Sequence, residues 1–156
     1  FIYKMEYFPK HTNKGEYGTL IYKQNAFYVN ETEIENNRGI HGDTVFVDNG
    51  KITGIKLRNK IWIAGTLHLE NNKKYGFTKK NIPYFKFTPL SGKYPNFIVP
   101  TKRRYKRPLY CVISLNCWNE KNKHPIGQIE EYLGEVGVKE NETLCGDKLW
   151  AHDIGA

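Results

Sequence analysis

Long apolar runs are missing from this sequence of 156 residues. None approaches the ~18 residues that a membrane-spanning helix needs, so no stretch reads as a membrane segment and no membrane partner is expected. Cysteine is scarce. Cys111, Cys117 and Cys145 form an odd set without C-x-x-C spacing, which argues against a disulfide framework and for thiols in an intracellular, reducing compartment, cytoplasmic or nuclear. No Cys/His pair stands at ligand spacing, and His11, His41, His68, His124 and His152 are scattered singly; neither a metal site nor a catalytic histidine is indicated. Ala and Leu are sparse beside Tyr, Ile, Val, Thr and Phe, a balance that favours strands over helices. No secretory leader pattern opens the sequence, and a first residue that is Phe rather than Met suggests that a longer polypeptide has been cut or is only partly seen.

Acidic residues are also missing where basic ones gather. The formal charge is +8, but it is unevenly spread. Residues 1–58 are nearly neutral, residues 59–123 hold fourteen Lys/Arg against two Asp/Glu, and residues 124–156 hold two against seven. A basic middle interleaved with aromatics is the electrostatic footprint of a polyanion-binding surface, with nucleic acid the leading partner. The competing reading of such a run is a solvated basic face.

Short runs of β-branched and aromatic residues recur about every ten positions, each bounded by turn residues. They comprise 16–22, 26–29, 44–47, 51–57, 61–67, 84–89, 97–99 and 109–115, followed by a turn–strand–turn stretch from Pro125 to Gly137. Asn49-Gly50 suits a type I′ hairpin, and Gly42 is placed to supply a positive φ. Residues 1–14 read as an arm without regular structure, 30–37 as polar with one helical turn, and 139–144 as a short helical candidate. This rhythm gives an all-β protein with little helix. A weak internal repeat divides it into two tandem five-stranded OB-fold (cold-shock-like) barrels, 15–58 and 59–156. Phe46, Trp62, Phe87 and Trp118 are expected in the cores.

Several of these segments together resemble a known family. Gly39-Ile40-His41-Gly42-Asp43-Thr44-Val45-Phe46-Val47 and Gly50-Lys51-Ile52-Thr53-Gly54-Ile55 are similar to the end of the first cold-shock barrel of RNase II/RNase R-type exoribonucleases. Phe87-Thr88-Pro89, Tyr94-Pro95, Pro125-Ile126-Gly127, Leu133-Gly134-Glu135-Val136-Gly137 and Lys139-Glu140-Asn141-Glu142-Thr143 resemble the second barrel, most of all in the eukaryotic, exosome-associated branch. Trp150-Ala151-His152-Asp153-Ile154 resembles the approach to the catalytic domain. The resemblance implies cold-shock domains that guide single-stranded RNA towards an Mg-dependent exonuclease centre lying in a later domain. Asp43, Asp48, Asp147 and Asp153 are too dispersed to form a two-metal site, so neither catalysis nor a cofactor is expected of these residues, and Mg belongs only to a downstream domain.

RNA binding by such barrels would combine phosphate neutralisation with base stacking. Lys102, Arg103, Arg104, Tyr105, Lys106 and Arg107 supply the first, with Lys56, Arg58 and Lys60 on the connection between the barrels. Tyr17, Tyr22, Phe27 and Tyr28 are the candidates for stacking, although strand alternation requires Phe27 or Tyr28 to face inward. A reading from another class is a non-catalytic protein–protein or structural module of a larger assembly derived from such an exoribonuclease.

Overall fold

A computed structural model describes residues 6–7, 16–71, 75–103, 105–118 and 122–143. The chain forms two compact units that divide between Asn59 and Lys60. Strands dominate both, and the single helical turn among the described residues covers 139–143.

In the first unit, β2 (Glu16–Thr19) and β3 (Ile21–Lys23) replace the single strand expected over 16–22. The break falls at Leu20, whose amide donates to the Asp43 carbonyl at 2.8 Å while its own carbonyl accepts from the Gly42 amide. Beyond the break, β3 pairs with β4 (Ala26–Val29), and β4 with β5 (Thr32–Ile34). On the other side, β2 pairs with β6 (Thr44–Asp48), which pairs with β7 (Lys51–Leu57). Within the expected arm, β1 (Glu6–Tyr7) adds to the free side of β7. The result is a four-stranded and a three-stranded sheet rather than a closed barrel. Between β5 and β7 there is only an isolated parallel bridge, Glu35 to Lys51. Leu20, Val29, Ile34, Val45, Ile52 and Ile55 from both sheets bury one shared core.

The turn chemistry explains most of these connections. Asn49 and Gly50 both have positive φ, 54° and 75°, as the type I′ hairpin demands. Gln24 and Asn25 do the same between β3 and β4. Asn30 and Glu31, at 51° and 66°, form an equivalent turn before β5, where the residue pattern predicts a helical turn. Glu31 is a poor advertisement for a left-handed conformation, which is why this hairpin is not legible in the sequence.

The second unit is a closed five-stranded barrel, ordered β10-β12-β11-β8-β9. Its strands are β8 (Trp62–Leu67), β9 (Tyr84–Pro89), β10 (Phe97–Pro100), β11 (Leu109–Cys117) and β12 (Ile126–Glu135). All neighbours are antiparallel except β10 and β12, which meet in parallel at Ile98 and Ile126. In β9 the period of two is clean: Phe85, Phe87 and Pro89 are buried and the residues between them are half-buried. Phe87 faces Phe97 across the β9–β10 ladder, the rings 6.3 Å apart and nearly perpendicular.

Two core expectations are corrected here. Phe87 is fully buried and Phe46 is 6 % exposed, but Trp62 is 42 % exposed. It lies on β8 next to inward-facing Ile63, opposite Ser114, and the alternation therefore turns it outward. Trp118 is half-buried rather than part of the core, and it donates its indole N–H to the Asn122 carbonyl at 3.0 Å.

The expected short strand within 125–137 is in fact the ten-residue β12. Its register against β11 shifts between Tyr110 and Cys111 and again between Val112 and Ile113. These bulges place Ile129 opposite Ile113 and Tyr132 opposite Cys111, so two side chains three positions apart share one face of the strand.

Candidate nucleic-acid interface

The basic run leaves β10 at Thr101 and returns to the barrel at Leu109. Thr101 is buried; its amide donates to the Pro83 carbonyl at 3.2 Å, and its Oγ1 accepts from the Arg103 amide at 3.1 Å. The same Oγ1 lies 2.9 Å from the Tyr132 hydroxyl. These bonds fix the first residues of an otherwise exposed loop. The segment before β9 is fixed too: the Ile82 amide donates to Thr78 Oγ1 and, in return, the Thr78 amide donates to the Ile82 carbonyl.

Between these two segments lies a groove of about 480 Å³. Lys80, Asn81, Ile82 and Pro83 form one wall, Thr101, Lys102, Arg103 and Lys106 the other, and Phe85 also contributes. Among the described residues, four cations and no carboxylate line it. That composition suits an anionic backbone, with apolar surface available to a sugar or base.

The candidate residues do not all converge on this groove. Lys102, Arg103 and Lys106 line it. Tyr105 is exposed on the same loop, 41 % accessible, and Arg104 lies outside the described residues. Arg107 is also exposed but faces Glu135, its Nη1 3.4 Å from a carboxylate oxygen. Lys60 is exposed at the start of the second unit.

In the first unit the stacking candidates divide by face. Tyr22, Phe27 and Ile34 stand opposite one another across β3, β4 and β5, and Ile34 belongs to the core. Phe27 packs against that core, and the Tyr22 ring lies 4.9 Å from Phe27. Phe27 is therefore the inward member of the Phe27/Tyr28 pair. Tyr28 shares the outward row with Ile21 and Glu33, with Lys23 Nζ 5.1 Å from its ring centroid. Tyr17 is the most open, 54 % exposed. Its ring stands edge-on to Phe46, and Lys56 Nζ lies 3.5 Å from its centroid, a cation–π contact that already occupies one face.

Arg58 is corrected outright. It is 3 % exposed and binds Asp43, Nη1 to Oδ2 at 2.8 Å, and the Arg38 carbonyl. Asp43 also accepts from the Ile40 amide at 2.9 Å and the Asn59 amide at 2.7 Å. Burial raises the Asp43 carboxyl above its ordinary range, against the opposing pull of Arg58 and the two amides. The His41-Gly42-Asp43 motif is thus a structural knot: His41 Nδ1 accepts from the Tyr22 amide, and Gly42 adopts φ 94° with the Asn59 side chain packed against it. A β-carbon at Gly42 would collide with that side chain.

Sequence reasoning missed Lys80, Thr101 and Tyr132. Lys79-Lys80 beside the Asn81 turn was a usable signal, whereas the position of Tyr132 depends on bulges that leave no mark in the residue pattern. Among the described residues no cluster of His, Cys, Asp or Glu converges to hold a metal ion, and no helix is long and apolar enough to cross a membrane.

Comparison with known proteins agrees with the barrel. Residues 84–145 match the family model described as Dis3-like cold-shock domain 2. No curated protein matches in sequence. Among solved structures, yeast Ssd1, a pseudonuclease, superposes with a TM-score of 0.57 at 15 % identity, over 88 % of this chain and 24 % of that one. Mycoplasma genitalium RNase R matches with a TM-score of 0.57 at 16 % identity and the same coverage, both in its apo form and in complex with ribose methylated single-stranded RNA. The chain thus spans about a quarter of the length of these structures. The matched segment carries four of the five barrel strands and the basic loop and is similar in sequence to a Dis3-like cold-shock domain 2, while the likeness to the solved structures is one of fold.

Proposed function

We propose that this chain is a single-stranded RNA-binding module that guides RNA along the basic groove of its cold-shock barrel, without itself performing cleavage. The observation that carries this reading is the groove lined by Lys80, Lys102, Arg103 and Lys106, with no carboxylate among the described residues that line it. It lies on a barrel whose fold is shared with an RNase R solved with single-stranded RNA. Phosphate neutralisation supplies affinity there, and because contacts to phosphate carry no sequence information, binding through them tolerates any sequence. No cofactor is needed for such binding. Magnesium-dependent 3′–5′ exonuclease chemistry belongs, on this reading, to a separate domain of a parent or related protein.

The test is a salt titration of binding to a fluorescent single-stranded RNA. Log affinity should fall linearly with log salt. Replacing Lys80, Lys102, Arg103 and Lys106 together by Ala should reduce that slope by about 0.7 for each phosphate no longer neutralised. A slope unchanged in the fourfold variant would exclude the groove, and a wild-type protein with no salt-dependent binding would exclude RNA.

A further inference from the structure

We infer that Tyr132, supported by Thr101, is a positioning residue that fixes Arg103 as the phosphate anchor of the groove; this rests on the RNA-binding reading above. The Arg103 guanidinium carbon lies 3.9 Å from the Tyr132 ring centroid. A guanidinium carries five N–H donors in its plane, and stacking on an aromatic ring holds that plane without consuming any of them. Stacked on Tyr132, Arg103 has its side-chain freedom reduced before a ligand arrives, while its fork remains able to grip a phosphate in a bidentate manner.

Two further bonds show that this arrangement is built into the fold. Tyr132 is held by its hydroxyl, 2.9 Å from Thr101 Oγ1, and the same oxygen accepts the Arg103 backbone N–H at 3.1 Å. One threonine therefore fixes both the ring and the backbone of the residue stacked on it. Thr101 is itself buried and anchored to Pro83 on the opposite wall. Lys80, Lys102 and Lys106 are charges on long flexible stems, whereas Arg103 is the groove cation that stacks on an aromatic ring.

A double-mutant cycle on the full chain, with single-stranded RNA as probe, separates positioning from bulk stability. Tyr132→Leu should weaken binding about two- to fivefold, the range expected for an exposed cation–π contact, while leaving the salt slope unchanged. Arg103→Ala should reduce the slope by about 0.7. In the Arg103→Ala background, Tyr132→Leu should have no further effect. Tyr132→Phe, which keeps the ring and is the milder change for folding, should lose less than Tyr132→Leu and likewise lose nothing when Arg103 is absent. Equal losses in both backgrounds would overturn the inference while leaving the RNA reading intact. A wild-type protein that binds with no salt dependence would overturn both.

Discussion

Arg58 and Asp43 form an ion pair at 2.8 Å in which neither side chain exceeds 1 % exposure. Residues fifteen apart in sequence are joined there, and the carboxylate also secures the amides of Ile40 and Asn59. An arginine expected to meet RNA instead holds the first unit together.

Removing the carboxylate should therefore unfold rather than unbind. Asp43→Ala leaves a buried guanidinium uncompensated and should cost about 3–5 kcal/mol in urea denaturation. The pH dependence has a definite sign. Because burial raises the folded-state pKa of Asp43, the folded form takes up the proton first. Its contribution to stability is largest below the ordinary carboxylate range and declines as pH rises through the raised value. Glu130 runs the other way: hydrogen bonds from Ser114 and Gln128 lower its pKa, so its contribution is present above the ordinary range and is lost as pH falls through the lowered value. Subtracting the stability profiles of Asp43→Asn and Glu130→Gln from that of the wild type should reveal slopes of opposite sign. Slopes of the same sign would contradict these assignments.

Glu135 pairs with Arg107, a cation of the basic loop that the proposed RNA path leaves unused. Its pairing with Arg107 is long and largely exposed, so Glu135→Gln should change stability by less than about 1 kcal/mol. Freed of the carboxylate, Arg107 should increase RNA affinity and add up to about 0.7 to the salt slope. An affinity that does not rise would show that Arg107 lies off the path of the RNA.

Two aromatic residues of similar appearance in the sequence should differ sharply when truncated. Phe87→Ala opens a cavity at a fully buried position and should cost about 3–5 kcal/mol. Trp62→Ala removes a side chain that is 42 % exposed and should cost well below that. Thermal denaturation of the two variants decides the matter, and comparable losses would restore Trp62 to the core.

The barrel of the second unit is largely legible in the sequence because its strands obey simple rules. In β9 the alternation of Tyr84, Phe85, Lys86, Phe87 and Thr88 states its own orientation. In the first unit only the turns at Asn49-Gly50 and Gly42 announce their backbone geometry so plainly. The first unit is less legible because the run 16–22 breaks not at Gly18, which pairs with Val45 inside β2, but at Leu20, through a hydrogen bond to Asp43 that lies far along the chain. Arg58 looks like its basic neighbours, and only the fold brings Asp43 to it. Tyr132 is hidden for a related reason: Ile129 and Tyr132 are three apart, a spacing that contradicts strand periodicity until the bulges of β12 are known.

The two walls of the groove leave the barrel from one end of the β9–β10 hairpin, where Tyr84 and Pro100 stand opposite each other. Adjacent strands in a sheet are held about 4.8 Å apart by their backbone bonds. The separation of the walls at their base is consequently inherited from the ladder and is beyond the reach of substitutions in either loop. Lysines can be exchanged there to retune attraction, but the floor of the trough keeps the spacing of one strand pair.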